Sequence, residues 1–197
     1  MPKVTDEHRL ARREQILLAA TRCVAREGFH KTTMADVIGE AGLSAGAVYG
    51  YFRSKNDIIR AISERSIGQV ALLLQDLVER EAPVHPVDAV QVFLEQMARL
   101  THESDGDMAR VGVQAWAEAV RDPEIHALAK EKMGAVRSAL EGVVRRAQAD
   151  RTMSPGADPR AVAQVLFALL PGFVLEALVL EDVTPDSYVA GLRDLLA

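Results

Sequence analysis

Between Pro2 and Pro83 the chain carries no proline, and that long gap constrains its fold more than any other feature. Proline has no N–H to donate and its ring collides with the preceding turn. Helix interiors therefore exclude it, while sheet-rich chains use it freely at turns. Helix punctuation is dense over the same stretch. Gly28 stands where a helix would stop, and Thr33 with Asp36, then Ser54 with Asp57, have the spacing of a capping box. Ala (30 residues) and Leu (21) fill about a quarter of the chain and aromatic residues only 5%, which favours helices over strands. The fold class is all-α.

Apolar residues recurring at three- and four-residue steps mark out the helices. The first spans about 6–27, with Ile16, Ala20, Cys23 and Val24 on its inner face. Short helices follow at 33–40 and 44–50, and a long one runs from Ser54 to about Glu81. Beyond Pro83–Pro86 the pattern predicts helices at about 86–103, 107–121, 123–150, 158–181 and 186–196. They are separated at Ser104–Gly106, Asp122-Pro123, Ser154–Gly156 and Thr184-Pro185. The natural division is an N-terminal domain of residues 1–54 and a C-terminal helical domain of residues 55–197.

Charge follows that division. Residues 1–60 hold ten Lys/Arg against seven Asp/Glu, a net of +3, whereas residues 61–197 hold thirteen against twenty-one, a net of −8. A basic front on an acidic body suits a chain of which one end meets a polyanion. The single cysteine, Cys23, has no internal partner for a disulfide and sits at a core position of the first helix; the first ten residues lack an apolar leader pattern. Both point to a cytoplasmic setting.

The two short helices joined at Gly42-Leu43 have the form of a helix-turn-helix. The second, Ser44-Ala-Gly-Ala-Val-Tyr-Gly50, is nearly bare: Ala45, Gly46 and Ala47 let its backbone lie close to a DNA groove. Val48 and Phe52, four residues apart, pack inward, while Tyr49 and Tyr51 project. Lys55, in the first turn of the following helix, places a positive charge beside free backbone N–H groups, which suits a phosphate. Arg9, Arg12 and Arg13 read as a solvated helix face.

The run Thr32-Thr-Met-Ala-Asp-Val-Ile-Gly-Glu-Ala-Gly-Leu-Ser-Ala-Gly-Ala-Val-Tyr-Gly-Tyr-Phe-Arg-Ser-Lys55 resembles the DNA-binding segment of the tetracycline-repressor (TetR) family of bacterial regulators. Ala41–Ser44, Gly46 with Tyr49, and Tyr51-Phe52 with Ser54-Lys55 carry the likeness, which covers about residues 10–60. The resemblance implies a homodimer that reads a palindromic operator in double-stranded DNA and releases it when a small molecule binds the C-terminal domain. It implies that Tyr49, Tyr51 and Lys55 contact phosphates, that Thr33 caps its helix beside the backbone, and that Ser44, Ala45 and Ala47 lie nearest the bases. Alanines touch a thymine methyl but form no bidentate hydrogen bonds. Part of the specificity is therefore expected from Ser44, from residues near Lys31–Thr33 and from DNA shape.

The C-terminal domain is read from its apolar residues. Phe93, Met97, Met108, Val113, Trp116, Met133, Val136, Phe167 and Phe173 are candidates to line an effector cavity, with Gln114 and Glu118 as polar contacts. The stretch 161–180 is apolar enough to suggest a membrane span, but Gln164, Glu176 and Pro171-Gly172 interrupt it, and burial on several sides is the better reading. As in the resembled family, this segment and 186–196 would form half of an intersubunit bundle. Val165, Leu169, Leu178, Tyr188 and Leu192 are the candidate contacts, and Pro171 is expected to kink the helix.

Catalysis has no support. Gly42-Leu-Ser-Ala-Gly46 matches a hydrolase nucleophile motif, but it lies between helices where that chemistry needs a strand. The five histidines lack metal-ligand spacing, so no metal or cofactor is expected. The competing reading is a helical interaction module, built on the 161–180 surface, without a specific DNA site.

Overall fold

A computed structural model of the protein describes residues 6–103 and 107–195, and among them every regular element is a helix. In chain order these are α1 (Asp6–Glu27), α2 (Met34–Ala41), α3 (Ala45–Tyr49), α4 (Lys55–Glu79) and α5 (Pro86–Glu103). They continue with α6 (Asp107–Ala119), α7 (Pro123–Ala149), α8 (Pro159–Val179) and α9 (Pro185–Leu195). All nine begin and end within two residues of the sequence expectation. The break at Ser104–Gly106 and the terminal Leu196 lie outside the described residues.

Local chemistry accounts for the ends. Gly28 closes α1 at φ +88° and Gly42 closes α2 at φ +63°, left-handed conformations that disfavour a side chain. Both expected capping boxes form, Thr33 with Asp36 and Ser54 with Asp57. Asp122 caps α7 and Asp158 caps α8, each with proline at the first helical position, where the missing N–H costs nothing. α8 runs on through Pro171, which leaves the Phe167 carbonyl without its usual helical donor.

The core divides into three clusters. Ile16, Leu17 and Ala20 of α1 pack with Val37, Val48, Phe52 and the start of α4 at Ile58 and Ile62. The second half of α4, through Val70, Leu74 and Leu77, packs with α5, α7, α8 and α9 around Leu94, Leu140, Val143 and Leu170. Between them a smaller cluster joins Val24 and Phe29 to Ile59, Val111, Ile125 and Leu128. A division at residue 54 therefore separates the elements but not the packing, because α4 belongs to all three clusters.

One polar knot ties the far end. Arg146 of α7 donates to the Val78 carbonyl at 2.8 Å and pairs with Asp150 at 2.8 Å; Asp150 accepts the Val84 N–H at 3.0 Å, and the Thr152 hydroxyl donates to the Val84 carbonyl. These bonds fix the α4–α5 connection against the end of α7. They also hold the Asp150 carboxyl below its ordinary range, chiefly through the Arg146 bond.

Candidate nucleic-acid interface and effector cavity

The helix-turn-helix is braced from behind. Gln15 of α1 donates to the Ala41 carbonyl at 2.8 Å, and Arg12 donates to Gln15 at 2.7 Å. The Arg13 guanidinium lies over the Phe52 ring, 5.5 Å from its centroid, so it packs on the domain itself. α2 is held by Thr33, whose hydroxyl donates to the Asp36 carboxylate at 2.6 Å while its N–H donates to the same oxygen at 2.8 Å. Those bonds keep the Asp36 carboxyl below its ordinary range.

α3 presents backbone and methyl groups. Val48 is fully buried, whereas Ser44, Ala45, Gly46, Ala47 and Gly50 are exposed. The Ser44 hydroxyl accepts the Ala47 N–H at 3.2 Å, closing the cap. Tyr49 stands 50% exposed. Tyr51 does not project freely as expected: it is partly buried and packs against the N-terminal core.

Lys55 is engaged within the chain. Its ammonium donates to the Phe29 carbonyl at 2.5 Å, tying the first residue of α4 to the α1–α2 turn. An ammonium has three donors, so this bond leaves two. The Phe29 side chain points the other way, into the wall of an apolar cavity of about 330 Å³ enclosed by α1, α4, α5, α6, α7 and α8. Sequence spacing gave no sign of this pairing, because the partners are 26 residues apart and one contributes only its backbone.

Eight of the proposed cavity residues line it: Phe93, Met97, Met108, Val113, Trp116, Met133, Val136 and Phe167. Trp116 and Phe167 form a tilted pair with ring centroids 5.9 Å apart. Two do not. Phe173 is turned into the C-terminal core, where it meets the Tyr188 ring edge-on at 5.2 Å. Gln114 points toward α1, donating to the Ala25 carbonyl at 3.3 Å, and its buried side-chain oxygen has no partner among the described residues. Glu118 is likewise diverted, to His30 at 3.0 Å. Both side chains clamp α6 to the DNA-binding end. Val24, Phe29, Ile59, Ser63 and Lys132 also line the cavity, from positions whose sequence pattern marks only core or surface.

The candidate intersubunit contacts also separate. Val165 is 64% and Val179 74% exposed, with Leu175, Leu180 and Leu195 exposed alongside. Tyr188 instead donates its hydroxyl to the Leu169 carbonyl at 3.3 Å, and its burial raises the phenol's pKa. Leu169 and Leu192 are half-buried against their own core, and Leu178 is half-buried as well. α8 is long and apolar enough to cross a membrane by length and composition, yet Ala163, Leu166, Leu170 and Phe173 bury one of its faces in the domain.

A braced helix-turn-helix carried on a helical domain with an apolar cavity defines a helix-turn-helix regulator. Comparison with known proteins agrees. The family model of bacterial regulatory proteins, tetR family, matches residues 16–62, and that of the C-terminal domain of BetI-type transcriptional repressors matches residues 86–197. The chain is 30% identical over 189 residues to the HTH-type transcriptional regulator UidR of Escherichia coli (strain K12), spanning 93% of this chain and 90% of that one. It is 29% identical over 185 residues to the HTH-type transcriptional repressor Rv1474c of Mycobacterium tuberculosis, spanning 84% and 95%. The structure of Salmonella enterica GusR superposes with a TM-score of 0.79 at 27% identity, covering 98% of this chain and 96% of that one. The chain belongs to the TetR family of transcriptional regulators and is not an enzyme.

Proposed function

We propose that this regulator is a cytoplasmic homodimeric repressor that binds a palindromic operator and releases it when a small, largely apolar effector fills the cavity. One observation carries the reading: Phe29 belongs to both sites, with its side chain in the cavity wall and its carbonyl on Lys55. An effector that displaces Phe29 withdraws the anchor of Lys55, a residue poised at the N-terminus of α4 to meet a phosphate. The same displacement presses on α4 at Ile59 and Ile62, which share the wall. In the dimer this changes the separation of the two α3 helices from the one turn of DNA, ~34 Å, that a palindrome requires. The exposed Val165, Leu175 and Val179 supply the apolar face for subunit pairing.

Selection of duplexes from a random pool, followed by titration of the enriched sequences at several salt concentrations, tests this. An enriched palindrome bound tightly by a dimer supports the reading. Weak, salt-sensitive binding without any enriched sequence, in the presence of cell extract as well as without it, overturns it.

A further inference from the structure

We infer that the effector is an amphiphile with a negatively charged head, an organic acid with an extended apolar body, and that Lys132 receives its carboxylate. The inference rests on the cavity being the effector site and goes on to its ligand's chemistry. Among the residues that line the cavity, three side chains carry a nitrogen or oxygen: Ser63, Trp116 and Lys132. The indole and the ammonium can only donate hydrogen bonds, and the hydroxyl can do either. Among the described residues that line the cavity, none carries a carboxylate, imidazole or amide side chain. A ligand with a positive or donor-rich end finds no counter-charge among the described lining side chains, and the carboxylates of Glu131 and Glu64 are already paired with Lys132. One with a negative, acceptor-rich end finds Lys132, the one formal charge among the described residues of the wall.

Lys132 is placed to make the exchange cheaply. Its side chain is 17% exposed, so the stem belongs to the wall while the ammonium reaches its edge, 2.9 Å from Glu131 and 4.0 Å from Glu64. Both carboxylates are more than half exposed, and solvent can take over from the lysine when it turns inward. Glu131 also keeps Arg60, at 3.8 Å. Apart from Ser63, the Trp116 indole and the sulfurs of Met97, Met108 and Met133, the other described lining side chains are hydrocarbon, which suits a body with few polar groups.

The chain's single tryptophan, Trp116, lines the cavity and reports occupancy by its fluorescence. Three probes share one body and differ in head: decanoate, decan-1-ol and decylamine, titrated below their aggregation concentrations. Decanoate is expected to bind at least about tenfold more tightly than the alcohol, the scale of one charge-assisted hydrogen bond, with the amine weakest. Lys132→Met, which keeps the stem's bulk, is expected to erase the preference for the acid and leave the affinity for decan-1-ol within about twofold; Lys132→Arg is expected to retain the preference. Equal affinities for the three heads, a preference for the amine, or an acid preference that survives in Lys132→Met overturns the assignment of the head group and leaves the cavity as a binding site. A tryptophan signal indifferent to all three probes overturns the cavity reading together with it.

Discussion

Ser44 and Thr33 have their hydroxyls bound within the chain, which changes what their substitution should do. The Ser44 hydroxyl caps α3, so Ser44→Ala is expected to destabilise the protein by about 0.5–2 kcal/mol, the usual cost of an N-cap. Ser44→Asp keeps the cap and the stability but weakens DNA binding by placing a carboxylate beside the phosphates. Denaturant melts and DNA titrations on the pair separate the two roles. For Thr33 the readout is the Asp36 carboxyl. Its pKa is lowered in the folded protein, first by the Thr33 hydroxyl and then by the Thr33 N–H. The stability it lends is therefore complete above the ordinary carboxylate value, ~4, and is lost as pH falls through the lowered folded value. Thr33→Val should move the Asp36 midpoint upward in a carbon-13 NMR titration of the side-chain carboxyl. These caps were legible because box partners lie three residues apart. The partial burial of Tyr51 was not legible, because it depends on packing against the N-terminal core, which residue spacing within the motif does not encode.

Among the elements, α4 is the one on which the proposed mechanism turns. It begins at Lys55, bonded to the α1–α2 turn, and ends against the Arg146–Asp150 knot, with the cavity wall between. If Phe29 positions Lys55 for a phosphate, weakening either one has the same consequence. Lys55→Ala is expected to lower the salt slope of DNA binding by about one per subunit. Phe29→Leu, which shortens the ring but keeps an apolar residue, should lower it in the same direction, and the double variant should add little to Lys55→Ala alone. Additive losses in titrations across a salt series would separate the two residues. Helix boundaries were readable because periodicity, caps and prolines are local. The cavity was readable only in part, since Val24 and Phe29 reach it from a helix and turn that the sequence assigns to the other domain. The chain's pattern also could not show that Gln114 faces α1 while Trp116, two residues on, lines the cavity.

For the whole molecule, dimerisation should depend on the outer face of α8. Val165 and Val179 have few neighbours to lose, so Val165→Asp with Val179→Asp should leave helicity unchanged and convert the dimer to a monomer in sedimentation, with a large loss of operator affinity. Helicity lost together with the dimer would mean instead that the fold itself depends on pairing. Linkage adds a reciprocal expectation: an effector that weakens operator binding a given number of fold must bind the operator complex more weakly by the same factor. The two-domain plan was legible from charge and capping, but the seam was not, because α4 is a single helix shared by every core cluster.

That Val24 and Phe29 wall the cavity bears on how such regulators can be recombined. Residues 55–197 grafted onto another protein's helix-turn-helix would carry the cavity, the proposed effector site, with a wall missing, to be completed by whatever the new partner places there. Ligand preference is thus the joint property of the two parts. A chimera that keeps this chain's response has to bring the end of α1 and the turn through Phe29 along with it, and its junction belongs beyond them, within the segment that reads DNA.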